Sequence, residues 1–265
     1  LLDIYNEALD NDPQYKSSEY SLLAGKEFVV QGRAGLLPNV TLSGSTNWNE
    51  YYQFDELQSA YNNNSVTARL TQPLFRLDSW FNFKRSKKLT DASEADFAYA
   101  QQNLIIRTVE KYFGVLRAID NLNAAVSEEK AIKKQLDQIQ QRFEVGLSAI
   151  TEVQEAQLAF DLSVAAKIRS EGALFNAREE LNSLIGREIF SIDSLKADIV
   201  PENPNPATKQ EWVDIALKNN YRLQASVLRR DASQDSARSS ASEHLPKINI
   251  VGTESESNTN QYTYE

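Results

Sequence analysis

No proline occurs between Pro73 and Pro201, so 127 consecutive residues lack the strongest helix breaker. Only Gly114, Gly146, Gly172 and Gly186 interrupt them, and glycine is a weak breaker. Within this span the apolar positions step by fours and threes. Ile105, Val109, Tyr112, Leu116 and Ile119 make one seam, and after a one-residue phase shift Ile132, Leu136, Ile139 and Phe143 continue it. Such spacing marks helices that coil around neighbours. A helix from Ser79 to Phe143 would be about 98 Å long, far beyond the ordinary globular length.

The stretch "QRFEVGLSAITEV" then reverses the chain. Gly146 permits a positive φ, and Thr151 offers a side-chain oxygen where a second helix can start. Val153, Phe160, Val164 and Ile168 carry the returning seam to about Ile185, and Gly186 ends it. The returning helix is roughly half as long as the first. Residues 76–186 therefore read as a long antiparallel helical hairpin, and the proline-rich "PENPNPATKQ" lies in a linker over 187–210.

Residues 37–75 read differently. Val40, Leu42, Gly44, Thr46 and Trp48 share one parity, with Thr41, Ser43, Ser45 and Asn47 on the other. Val66, Ala68, Leu70 and Leu74 alternate in the same way with Ser65, Thr67, Arg69 and Thr71. Each segment is a strand with one apolar and one polar face. Between them "EYYQFDELQSAYNNN" reads as an aromatic, acidic, Asn-rich loop suited to a membrane surface. No run approaches the ~18 apolar residues of a spanning helix, but spanning β-strands need only about 9–11 residues. The competing reading is an ordinary hairpin on a soluble core. Against it, the small polar residues need water on their side, and no other apolar segment is available to cover the hairpin.

A shift of 208 residues then aligns residues 7–45 with 215–253 without gaps. Ala8 meets Ala216, Leu9 meets Leu217, Asn11 meets Asn219, Leu37-Pro38 meets Leu245-Pro246, and Gly44 meets Gly252. A helical segment (1–36), a break and a strand thus recur in 211–265, which reads as a duplication. After Glu254 the second copy turns polar and is expected to stop in its loop, without a return strand or second hairpin. The chain also begins at Leu1, as a processed or trimmed product, so it reads as a fragment or a half-size relative.

Several chemistries are disfavoured. A net charge of −9 argues against a nucleic-acid or other phosphate-binding surface. There is no cysteine, and His244 alone makes neither a typical zinc site nor a catalytic triad. Gly32 and Gly35 lack a phosphate-loop motif, and the carboxylates are scattered along helical faces. No cofactor, metal or enzymatic activity is expected.

In their order along the chain, "EALDNDP", "LLPNVTL", "LTQPLF", "YFGVLRAIDNL" and "QRFEVGLSAITEVQEAQ" resemble the TolC family of outer-membrane efflux proteins. The resemblance involves nearly the whole chain. It implies a mainly α fold with β: a coiled-coil hairpin contributing to an α-helical barrel, and strands contributing to a transmembrane β-barrel. It further implies a homotrimer in the bacterial outer membrane, extending into the periplasm. Such a trimer is a passive channel for efflux or type I secretion, docking to a periplasmic adaptor and an inner-membrane transporter. On that resemblance Arg142, Val145, Gly146, Leu147, Ser148 and Thr151 form the adaptor-contact tip, and Glu152 stands near the entrance gate. For these residues plain turn chemistry is the competing explanation, and for Glu152 a first-turn carboxylate at a helix dipole. Trp48, Tyr51 and Tyr52 are expected at the interface with outer-membrane lipid. The alternative function is a soluble coiled-coil scaffold.

Overall fold

A computed structural model describes residues 1–54, 56–189, 191–195 and 203–263. The order is α1 (Leu2–Asn11), α2 (Pro13–Ala34), β1 (Asn39–Gln53), β2 (Glu56–Phe75), α3 (Leu77–Glu144), α4 (Ile150–Ile185), α5 (Lys209–Asn219), α6 (Tyr221–Ser242) and β3 (Ile248–Thr263). The fold is mainly helical with one small sheet. The 208-residue shift carries α2 onto α6 at both ends, and α1 and β1 onto α5 and β3 to within two residues. Asp12 and Asn220, equivalent under the same shift, both break the helix with an extended backbone.

Two compact units form, each from two stretches of chain: residues 1–20 with 97–220, and residues 21–96 with 221–265. In the first, Ala8, Leu104, Val115, Ala118, Leu174, Leu181, Leu184 and Ile185 build the core from α1, α3 and α4. Of the expected seam Tyr112 and Leu136 are buried, but elsewhere the buried residues Leu104, Thr108, Val115 and Ala118 lie one residue before it, and Ile105 is 48% exposed. The reason is that α3 is apolar on more than one face, so the small side chains Thr108 and Ala118 decide which face α1 and α4 can approach. Thr108 remains satisfied by donating to the Leu104 carbonyl at 2.8 Å.

Asp12 is buried and receives Arg107 as an ion pair, while it also accepts from the Tyr15 amide at 2.9 Å. The chain after Gly186 is held closely. The Ile189 amide donates to Asn182 Oδ1 at 2.9 Å, and the Tyr112 hydroxyl donates to the Asp193 carbonyl at 2.7 Å. Ile189 and Ile192 pack on the core. Residues 196–202 of the expected linker lie outside the described residues.

In the second unit β1, β2 and β3 make an antiparallel sheet in that order. Within the expected loop over 50–64, residues 50–53 and 56–64 are strand instead. Trp48 pairs with Asn62 and Glu50 with Ala60, and the chain reverses at Phe54, whose φ is 53°. The polar end of the chain is likewise strand, with Asn64 opposite Asn258 and Tyr61 opposite Gln261. The backbone ladder and cross-strand bonds override the low β-propensity of asparagine. Thr46 donates to Asn62 Oδ1 at 2.9 Å, Ser45 and Ser65 share a bond of 2.8 Å, and Thr259 donates to Asn63 at 3.2 Å.

Beside the sheet, α2 meets α3 through glycine. A Cβ on Gly25 would lie 2.3 Å from Ser93 Oγ, and one on Gly32 would lie 2.5 Å from Ser86 Oγ. Thr90 Oγ1 donates to the Gly25 carbonyl at 2.9 Å. Helix α6 meets α3 through Ser239, which donates to the Asp78 carbonyl at 2.9 Å, and through an Arg229–Asp96 ion pair.

Candidate functional site

The reversal after α3 rests on two hydrogen bonds. The Gly146 amide donates to the Phe143 carbonyl at 2.9 Å and the Leu147 amide to the Arg142 carbonyl at 2.8 Å, with Gly146 at φ 77°. This is the paired-bond helix stop that a left-handed residue permits. A left-handed glycine also ends α4, at Gly186 with φ 74°, through a single bond from its amide to the Asn182 carbonyl at 2.8 Å. Thr151 does not take the cap position. Ala149 holds it in an extended conformation, α4 begins at Ile150, and Thr151 is exposed in the first turn. Residues 148 and 149 are enough to reverse direction, because the Ala149 carbonyl already accepts from the Glu152 and Val153 amides at 3.1 and 3.5 Å. Ser148 Oγ donates instead to the Glu152 carboxylate.

Arg142, Val145, Gly146, Leu147, Ser148, Thr151 and Glu152 therefore share one turn. Val145 and Leu147 are each 70% exposed, and Phe143 and Ile150 are also exposed. The last two were not singled out from the sequence, because Phe143 fits the helical seam and Ile150 precedes the expected cap. The turn thus presents four apolar side chains beside one cation, Arg142, and two carboxylates, Glu144 and Glu152. Such a surface can bind another helical surface but has no arrangement for chemistry.

The sheet is the second surface. Val40, Leu42 and Trp48 of β1 share a face with Val66, Ala68 and Leu70 of β2 and with Gly252 of β3. The opposite face carries Thr41, Ser43, Ser45, Thr67 and Ser255. Large apolar residues crowd toward the helices, at Val40, Leu42, Leu70, Leu74, Ile248 and Ile250, all exposed. The far end is rich in Asn, Ser and Thr. Glu254 and Glu256 stand opposite Ala68 and Val66, so the apolar face of β3 ends at Gly252.

Trp48 and Tyr52 converge on Glu50, donating to its two oxygens at 3.0 and 2.8 Å. Tyr51 alternates to the other face, so the expected aromatic trio is divided. Glu50 was missed in the sequence because a lone carboxylate among aromatics carries no pattern of its own. His244 is exposed. Among the described residues no helix is long and apolar enough to cross a membrane, and no group of metal-binding side chains occurs.

A family model described as outer membrane efflux protein matches residues 4–187. Outer membrane protein TolC of Vibrio cholerae is 33% identical over 252 residues, 95% of this chain and 57% of that protein. The alkaline protease secretion protein AprF of Pseudomonas aeruginosa is 28% identical, covering 100% of this chain and 58% of its own length. The crystal structure of the Campylobacter jejuni CmeC outer membrane channel superposes with a TM-score of 0.75 at 16% identity, over 99% of this chain and 61% of that one. The chain thus spans little more than half the length of the curated relatives it matches.

Proposed function

The chain belongs to the outer membrane efflux protein family, and from that membership we propose that it works as a subunit of a passive channel for efflux or type I secretion in the bacterial outer membrane. The family is one of channels and not of enzymes. The observation that carries the reading is the two-faced sheet. It exposes an apolar face and a hydroxyl-rich face at once, and among the described residues its outer strands β1 and β3 each leave one edge unpaired. Lipid tolerates a sheet only when every edge is closed, and the polar face needs water. Both needs are met when several chains close a barrel around an aqueous lumen.

In this reading the protein is a homotrimer that reaches into the periplasm, with residues 37–75 and 248–263 in the barrel and 76–186 in the helical wall. The turn from Arg142 to Thr151 meets a periplasmic adaptor, which links it to an inner-membrane transporter. Glu152 lies near the entrance. Trp48 and Tyr52 sit at the outer-membrane lipid interface, with Tyr51 on the opposite face. The relative named for protease secretion supports export of protein, and the family's description supports efflux.

The test has two parts. The intact mass of the native protein extracted from membranes should be well above 29.9 kDa, since relatives are nearly twice as long. The same preparation, reconstituted in planar bilayers, should give discrete ohmic conductance steps. A native protein that remains soluble without detergent and forms no pore would establish the coiled-coil scaffold instead.

A further inference from the structure

Four of the five residues at positions 84–88 are basic, in a chain of net charge −9. They follow within nine to thirteen residues of Phe75, where β2 ends. Two grooves separate α3 from α6, and the basic side chains divide between them. Lys84, Lys87 and Lys88 line one with Asp91, Asp231, Gln234, Asp235 and Arg238. Arg85 lines the other, among the small side chains Ala232, Ser233, Ser236 and Ser240. The two grooves therefore open on opposite faces of the helical layer.

On the first face the charges are unequal in their partners. Arg238 is held by Asp235 at 2.9 Å, and Lys88 lies 3.7 Å from Asp231, which is also held by Arg230 at 2.6 Å. Lys84 and Lys87 have no carboxylate within ion-pair distance among the described residues. Lys84 Nζ lies 5.8 Å from the Trp80 ring and 5.7 Å from the Phe81 ring. The Trp80 ring is itself exposed, with the Phe83 ring 6.0 Å away. Asp91 lies a further turn from the strands.

Along the axis the apolar strand ends come first, then the aromatic rings, then the unpaired ammonium groups, while the nearby carboxylates are already taken, Asp78 by Arg76 and Lys247 and Asp235 by Arg238. From the start of α3, Trp80 lies about 5 Å along the axis, Lys84 about 10 Å and Lys87 about 15 Å. Side chains on a helix lean toward its N-terminus, here toward the strands, and a lysine stem extends that reach. The polar layer of a bilayer is about 5–7 Å deep on each side. An indole belongs in it, and the ammonium groups then stand level with or just outside the phosphates.

We propose that Trp80, Lys84 and Lys87 form a headgroup clamp that selects anionic phospholipid, such as phosphatidylglycerol, in the membrane leaflet adjoining the helices. The proposal rests on the membrane reading above and names the lipid class for it. The occupant follows from charge complementarity and from continuity with the apolar strand ends. The acidic balance of the whole chain conceals the site, because the surplus negative charge resides elsewhere.

The test uses full-length detergent-solubilised protein and mixed micelles of phosphatidylcholine and phosphatidylglycerol, with bound lipid counted by native mass spectrometry. Wild type should retain phosphatidylglycerol in preference. The half-saturating fraction should rise about five-fold for each lysine removed in K84Q and K87Q. K84R/K87R should keep the preference, and K130Q/K134Q on a distant part of α3 should leave it unchanged. Equal retention of both lipids by wild type, or an unaltered preference in K84Q/K87Q with native circular dichroism, overturns the proposal. So does loss of adaptor capture in K84Q/K87Q with lipid binding intact, which would assign the lysines to a protein partner. A wild type that enters neither phosphatidylcholine vesicles nor mixed ones defeats the membrane reading itself, and the clamp with it.

Discussion

Replacing Gly25 by alanine tests the close approach of α2 to α3. In an open helix the change should stabilise, by about 1 kcal/mol, because alanine is the better helix former. Gly172 is such a position, helical and with nothing within 4 Å of an added Cβ. At Gly25 the new Cβ would lie 2.3 Å from Ser93 Oγ and 2.4 Å from Ser93 Cβ. The second atom is fixed to the backbone, so a rotamer change cannot relieve the clash and α2 must move from α3. Overpacking of this kind costs typically 1–3 kcal/mol. Separation also strains the Thr90–Gly25 hydrogen bond, worth about 1 kcal/mol. Against the helix gain, G25A should lose about 1–3 kcal/mol and G172A should gain up to about 1 kcal/mol. Urea unfolding followed by tryptophan fluorescence measures both. In the double variant G25A/S93G most of the loss should return, because the blocking Cβ is gone. A G25A protein as stable as G172A, or no recovery in the double variant, would refute the close-contact reasoning.

Three further outcomes are expected. Arg76, at 2.6 Å, and the Ser79 amide and Lys247 hold the Asp78 carboxyl well below its ordinary range. Its stabilising contribution is therefore complete above the ordinary value of 3.8 and is lost as the pH falls below it toward the depressed one. Unfolding midpoints measured between neutral and strongly acidic pH should show this acid loss in wild type and a smaller one in D78N. Removing the buried Asp12 strands the half-buried Arg107 guanidinium and the Tyr15 amide, so D12A should lose about 1–3 kcal/mol in chemical unfolding, whereas E7A breaks only the exposed Glu7–Arg187 pair and should stay within about 1 kcal/mol. At the turn after α3, V145D/L147D should abolish cross-linking to the adaptor while changing stability by no more than about 0.5 kcal/mol, because both side chains are exposed.

The long hairpin was legible because its evidence is local and cumulative: absent proline, repeating apolar steps, and glycines at 146 and 186 where the backbone adopts positive φ. The duplication was legible for a similar reason, since an ungapped shift preserves element lengths even where identities are few. The burial phase of α3 was legible only in part, at Tyr112 and Leu136. Ile105 is more hydrophobic than Thr108, yet Thr108 is buried because a partner helix needs room more than it needs hydrophobicity. Strand ends were hidden too, since Asn62 to Asn64 look like loop residues until β1 and β3 pair with them on both sides. At the candidate tip the sequence marked Gly146 and Leu147 but misplaced the cap at Thr151. A cap depends on where the preceding turn has aimed the chain. Gly25 carries no signal in the sequence and Gly32 was weighed only as a phosphate-loop glycine, and the serines across from them explain their presence.

Those two glycines also act as a key. The 208-residue shift places Ser233 and Ser240 of α6 where α2 has Gly25 and Gly32, with the seven-residue interval retained. A serine at either α2 position would bring a Cβ within 2.5 Å of the facing serine of α3. Although the two helices are copies in length and placement along the chain, α6 therefore cannot occupy the seat that α2 occupies. At that seat α3 accepts one of its two look-alike helices and rejects the other. Two missing methylene groups set the order of the wall.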